Sequence, residues 1–372
     1  MKKYFVMAAL AVSTLTASAQ SVVPKWINNV KLSGFGIVQY TYNGQENNES
    51  NSFNLRLARL ALDGRAFDDW YWKAQIQFNG NTSTLGSSPK LVDLFIEWQK
   101  YDFLCVKAGQ FKNPFTYENP MHPIDQGFMS YSQVISKFAG FSDRAGAHSS
   151  NGRDIGVQLQ GDFLKNASGR NLIHYQVGVF NGQGINVKDV DQQKNIIGGA
   201  WVMPVEGMRL GAFGWIGSYA RKGTSASEGI TNTTLRRLQQ RRYAFSAEYK
   251  VDDWTFRSEY VHSTGYAFAK AMVNTNDASA KDITLSSNGD KSQGVYALVI
   301  APIIKKKCHA KARYDMYQPS KGAEKQRTQY EIGLDYYFNK NICLTGEYAY
   351  IHDRALADPN YSMIDVELSY RF

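Results

Sequence analysis

The sequence lacks what a soluble enzyme or metalloprotein usually carries. Its 372 residues include three cysteines, Cys105, Cys308 and Cys343, and no C-x-x-C pair. That spacing suits no metal or redox motif and leaves the three as small strand residues, with a Cys308–Cys343 bridge left open. Six histidines (His122, His148, His174, His262, His309 and His352) occur in no nucleophile, metal or H-E-x-x-H setting. Only His352-Asp353 places an acid beside a histidine, and neighbouring strand residues point to opposite faces. No Walker loop or dinucleotide fingerprint is present. The expectation is no enzyme, no cofactor and no metal.

Long apolar runs are missing too, beyond the first residues. Lys2 and Lys3, the mostly apolar stretch from Phe5 to Leu15 and the small-residue site Ala17-Ser18-Ala19 read as a signal peptide spanning 1–19, with Gln20 the first mature residue. The apolar stretch is too short for a spanning helix, which needs about 20 residues. No cysteine follows the signal, which argues against a lipid anchor.

What the chain does have is alternation. Ile364, Val366, Leu368, Tyr370 and Phe372 alternate with Asp365, Glu367, Ser369 and Arg371. A strand with that pattern has one apolar face and one charged face. The same period of two predicts strands over 31–42, 52–66, 70–80, 91–100, 103–112, 153–164, 172–181, 195–204, 207–219, 240–250, 253–263, 291–301, 307–318, 326–338, 341–352 and 362–372. The connections alternate long and short. The long ones include 113–152, 220–239 and 264–290; the short ones include 67–69, 251–252 and 339–340. Together these predict an all-β fold: a transmembrane antiparallel β-barrel of about 16 strands, with long external loops and short periplasmic turns. Residues 20–372 then form a single domain in the outer membrane of a Gram-negative bacterium.

Two local features refine this. Phe53, Leu55 and Leu57 share a face, whereas Leu60 and Leu62 share the other, so a bulge is expected near Ala58 that brings Arg56 and Arg59 together inside. Tyr40, Tyr42, Trp70, Trp98, Tyr101, Tyr219, Trp254, Tyr317, Tyr337 and Tyr350 fall near strand ends, as an interfacial girdle would require.

The net charge is +9, or +7 without residues 1–19, which hold two lysines and no acid. A basic exported chain points to an anionic partner, and nucleic acid is a poor candidate.

Four stretches resemble the phosphate-selective porin O and P family: Leu55 to Gly64, Trp70-Tyr71-Trp72-Lys73 with Phe78, Val106 to Phe115 and Tyr175 to Gly182. The most specific is the Gly-Gln-Phe-Lys-x-Pro-Phe string of Gly109 to Phe115. The resemblance implies a homotrimeric, water-filled porin with 16 strands, an inward-folded loop after Phe115, and anion uptake along a ladder of lumen arginines and lysines. Arg56, Arg59, Lys73, Lys107 and Lys112 match the basic positions of these motifs. The family's other phosphate-contacting residues cannot be matched, so the likeness supports a porin more strongly than phosphate.

A selective pore needs a narrow place with fixed charge there. The longest connection, 113–152, is the expected constriction. Pro114, Pro120 and Pro123 stiffen it, and Lys137, Arg144 and His148 are candidates to meet a permeant anion. Glu118, Asp125 and Asp143 are expected to pin the loop to barrel arginines. Arg56, Arg59, Lys73 and Lys107 are expected to form a basic wall facing it, with Lys112, Lys311 and Arg313 also lining the pore. The partners expected are small anions, phosphate among them, together with outer-membrane lipid and lipopolysaccharide. The alternatives are a general small-solute porin, an adhesin or receptor using loops 220–239 and 264–290, and an outer-membrane hydrolase.

Overall fold

A computed structural model describes residues 24, 26–78, 89–145, 151–269, 282–286 and 290–372. The signal-peptide expectation and His148 lie outside the described residues. Sixteen strands close into one barrel: β1 (Ile27–Asn43), β2 (Ser50–Ala66), β3 (Trp70–Gln77), β4 (Lys90–Tyr101), β5 (Leu104–Lys112), β6 (Arg153–Lys165), β7 (Asn171–Phe180), β8 (Asn195–Val202), β9 (Met208–Ser225), β10 (Ile230–Val251), β11 (Trp254–Thr264), β12 (Lys291–Ile304), β13 (Cys308–Gln318), β14 (Arg327–Asn339), β15 (Ile342–Asp353) and β16 (Asn360–Arg371). Each strand pairs antiparallel with its sequence neighbour, and β1 pairs with β16 to seal the cylinder. One short helix, α1 (Gln133–Phe138), lies in the connection after β5.

The alternation has its cause in the two solvents. On β16, Ile364, Val366, Leu368 and Tyr370 are exposed on the outside, and Asp365, Glu367 and Ser369 are buried inside. Lipid accepts the apolar side chains, and closure leaves no backbone edge unpaired in the membrane. At the seam, Phe372 and Gly34 exchange both backbone hydrogen bonds, at 3.0 and 3.1 Å. The Phe372 and Tyr370 rings occupy the space that a Cβ on Gly34 or Gly36 would need.

The expected bulge is real, but its extra residue is Arg56: Ile37 pairs with Leu57 and Val38 with Leu55. Arg56 and Arg59 both reach inward as a result. The turn between β10 and β11 holds Asp252 and Asp253, both at positive φ, between the paired residues Val251 and Trp254. Those are the dihedral signs of a two-residue type I′ hairpin.

Three expectations are corrected or resolved. The connection 220–239 is not a long loop: β9 and β10 extend as a hairpin, with Arg221 opposite Arg236 and Lys222 opposite Leu235. Beyond the lipid the outer face no longer has to be apolar, so the alternation fades from the sequence while the pairing continues. Of the aromatic set, Tyr42, Trp70, Tyr101, Trp254 and Tyr350 are exposed on the outer face, but Tyr219 and Tyr317 are buried inside. All three cysteines are free thiols.

Candidate functional site

The connection after β5 folds into the barrel, and its main chain is held by charged barrel side chains. Glu259 on β11 accepts the N–H groups of Tyr117 (2.7 Å) and Glu118 (2.9 Å). Glu347 on β15 accepts Met129 N–H at 3.0 Å, and Asp315 on β13 accepts Gln133 N–H at 2.8 Å. The carbonyls are taken by cations. Arg257 donates to Gln126 O (2.8 Å), Lys311 to Gly127 O (2.8 Å), Arg313 to Ser130 O (3.0 Å), Arg242 to Phe138 O (2.6 Å) and Arg56 to Met129 O. A buried loop must satisfy its peptide groups, and bonds to charged partners are the strong ones.

The clamp charges are also paired with one another. Arg56 meets Glu367 at 2.7 Å, Arg257 meets Glu248 at 2.7 Å, and Arg313 meets Glu331 at 2.5 Å. Lys311 bridges Asp335 (2.8 Å) and Glu347 (2.7 Å). Two of the expected loop acids find barrel arginines: Asp143 meets Arg242 at 2.7 Å, and Asp125 meets Arg371 at 2.8 Å. The third does not. Glu118 accepts the backbone and hydroxyl hydrogens of Ser132, the N-cap of α1.

Apolar packing decides which wall the loop leans on. Phe115, Phe128, Ile135 and Phe138 pack with Phe213, Trp215, Tyr296 and Leu298, inward residues of β9 and β12. Fully burying such a side chain contributes about 1.5–3 kcal/mol. The loop therefore docks on the β9–β13 side, and the space it leaves faces β2 to β7.

That space is a cavity of about 300 Å³, with Pro114, Pro120, Met121, His122 and Pro123 of the loop on one side. Arg59, Lys73, Lys107, Lys112 and Arg153 line it, against one carboxylate, Asp93. Each cation is placed differently. Arg59 is 2% exposed, donates Nε to Gln77 at 3.0 Å, and leaves Nη2 with no partner among the described residues. Arg153 grips Asp93 through Nε (2.6 Å) and Nη2 (3.2 Å). Lys112 donates to Asn119 O (2.6 Å) and Met121 O (3.0 Å), holding the loop's near edge. Lys107 shares Glu97 at 3.4 Å and lies over the Phe95 ring, 5.1 Å from its centre. Lys73 sits near Asp93 without an ion pair among the described residues. Burial pushes the His122 imidazole down to about 4 against the opposing charge of Asp125.

The nine expected pore residues thus divide into three groups. Arg59, Lys73, Lys107 and Lys112 come together at the cavity. Arg56 and Arg313 belong to the loop clamp instead, and Lys311 clamps the loop while lining a second cavity. Lys137 and Arg144 lie on the loop away from the cavity: Lys137 donates to Ser142 at 3.3 Å, and Arg144 donates to Gly265 O. Arg153 was missed, because strict alternation from Asp154 and Gln158 assigns it to the outer face. Arg153 and Asp154 are both buried where the strand begins beside the loop.

A second cavity of about 210 Å³ lies on the other side of Pro123. It is lined by Asp125, Asp253, Asp335 and Glu367, with Lys311 and His309 as its basic groups. His352 and Asp353 turn to separate partners, Asn360 at 2.8 Å and Arg327 at 3.6 Å.

A closed barrel of 16 antiparallel strands, lipid-facing on its outside and entered by a charged inward loop, defines an outer-membrane porin of a Gram-negative bacterium. Residues 33–191 match the family model described as phosphate-selective porin O and P, which covers the four stretches that carried the resemblance. No curated protein matches the chain in sequence. Among solved structures, the chain is similar in fold to an anion-selective porin from Comamonas acidovorans, with 14% identity, coverage of 92% of this chain and 99% of that one, and a TM-score of 0.63. The outer-membrane channel DcaP of Acinetobacter baumannii gives 13% identity, 92% and 97% coverage and a TM-score of 0.60. The trimer form of OmpT from Vibrio cholerae gives 14% identity, 92% and 99% coverage and a TM-score of 0.59.

Proposed function

We propose that the protein is a passive diffusion pore for small anions, phosphate among them, and that loop 113–152 narrows it. The observation that carries this reading is the cavity beneath the loop, where five cations face a single lining carboxylate. Fixed charge of one sign between low-dielectric walls focuses the field and enriches counter-ions. Arg59, Lys73, Lys107, Lys112 and Arg153 are the residues we assign to anion contact. The description of the matched family and of the Comamonas porin supports anions as the permeant class. The trimer form of OmpT supports a homotrimer, and residues 1–19 fit an export signal.

The test is the reversal potential across a planar bilayer in a KCl gradient, followed by added phosphate. An anion-preferring potential with block by phosphate supports the reading, and a cation-preferring potential overturns it. A general small-solute porin is the second reading, favoured by the acid-lined cavity beyond Pro123. It expects a potential near zero and no phosphate block.

A further inference from the structure

We propose that the basic cavity is built for organic anions carrying an aromatic ring, with an aromatic carboxylate as the simplest case; this rests on the anion-pore reading above. The first ground is the number of donors left over. Of the five cations, Arg153 is committed to Asp93 through two hydrogen bonds, Lys112 to loop carbonyls, and Lys107 in part to Glu97. Among the described residues, the one uncommitted cation that faces the cavity is Lys73, because Arg59 Nη2 is unpartnered but buried. One free ammonium matches the single charge of a carboxylate, whereas a phosphate dianion brings a second charge with no uncommitted cation to meet it.

The second ground is the wall beside Lys73. Phe35, Phe95 and Phe111 line the cavity, and they offer no hydrogen bond to a hydrated inorganic ion. Phe95 is half-buried, and its strand neighbours on the same face are Lys73 on β3 and Gly109 on β5. Gly109 has φ +133°, and a Cβ there would come within 2.2 Å of Leu94 O and 2.9 Å of Phe95 Cβ. No side chain can therefore cover Phe95 from that side. Lys107 lies over both Phe95 and Phe111, at 5.1 and 5.4 Å from their ring centres. The result is one half-exposed ring, Phe95, rimmed by Lys73 and Lys107, with Phe35 and Phe111 buried beside it. A flat ring can lie on Phe95 while its carboxylate meets Lys73 or Lys107.

The test uses the purified full-length channel in planar bilayers, with chloride current titrated by benzoate, acetate and inorganic phosphate at equal ionic strength. Benzoate should half-block at a concentration at least roughly ten-fold below acetate or phosphate. Phe95→Ala should bring benzoate within about two-fold of acetate, and Phe95→Leu, which keeps apolar bulk without the ring, should do the same. Equal block by benzoate and acetate, stronger block by phosphate, or a benzoate advantage that survives both substitutions would overturn the proposal. The reversal potential of the unaltered channel separates the two layers. An anion-preferring channel without benzoate preference overturns only the aromatic site, whereas a cation-preferring one overturns the pore reading with it.

Discussion

The carboxylate of Glu259 accepts the main-chain N–H of Tyr117 at 2.7 Å, and its other oxygen accepts that of Glu118 at 2.9 Å. Ser246 and the Tyr296 hydroxyl, the latter at 2.7 Å, complete its shell. One strand side chain thereby fixes the first bend of the inward loop.

Glu259→Gln keeps the shape of that anchor but replaces one acceptor oxygen with a donor amide. Leaving a buried N–H without its acceptor costs about 1–3 kcal/mol. The loop should loosen while the barrel stays closed, giving larger and noisier single-channel steps. Single-channel records indistinguishable from those of the unaltered protein would refute the anchoring role.

Arg59 lies three positions after the bulge residue Arg56, yet the two end in different settings, the cavity and the clamp. Arg59→Ala should move the KCl reversal potential towards zero. Arg56→Ala should move it less and instead change open-channel noise, because Met129 O and Glu367 lose their partner. Equal shifts in the two variants would contradict the division.

Arg153→Ala should be costly as well as less selective, because it strands Asp93, which is 5% exposed, without its bidentate partner. A loss of about 3–5 kcal/mol is expected in denaturant unfolding. Asp93→Asn removes the one lining carboxylate and should raise anion preference. A fall in anion preference for D93N would count against the charge reading of the cavity.

His122 supplies a pH dependence. Its imidazole sits edge-on to Phe35, with ring centres 4.4 Å apart, and burial holds its pKa at about 4 against an ordinary value of about 6.5. The docked loop favours the neutral ring, so its full stability is present above about pH 6.5. That stability declines as pH falls towards 4, by an amount on the order of 3 kcal/mol. Conductance noise should therefore rise between pH 6.5 and 4, and His122→Phe should flatten the change in that window. Measuring open-state noise against pH in both proteins decides it.

The barrel was legible from sequence because lipid on one side and water on the other enforce a period of two along every membrane-crossing strand. The hairpin 220–239 was not, since outside the lipid polar residues such as Thr234 and Gln239 carry the same pairing without a regular apolar face to announce it. Most of the cavity's basic lining was legible too: Arg59, Lys73 and Lys107 followed from strand parity and the bulge, and Lys112 from the motif that carried the family resemblance. Arg153 was hidden because alternation fails at the strand end, where Arg153 and Asp154 are both buried. The clamp roles of Arg56, Lys311 and Arg313 depend on where a loop distant in sequence comes to rest, which parity does not encode.

The clamp grips peptide groups, while a few buried loop rings and acids choose the wall. Glu259, Glu347, Asp315 and their basic counterparts hold main-chain groups that do not depend on the side chains at Pro120 and Met121. Substitutions at the loop edge formed by Pro120 and Met121 can therefore accumulate without unseating the constriction. A lineage could retool what it imports by rewriting a few codons of one segment, with the surrounding cylinder serving as a fixed chassis.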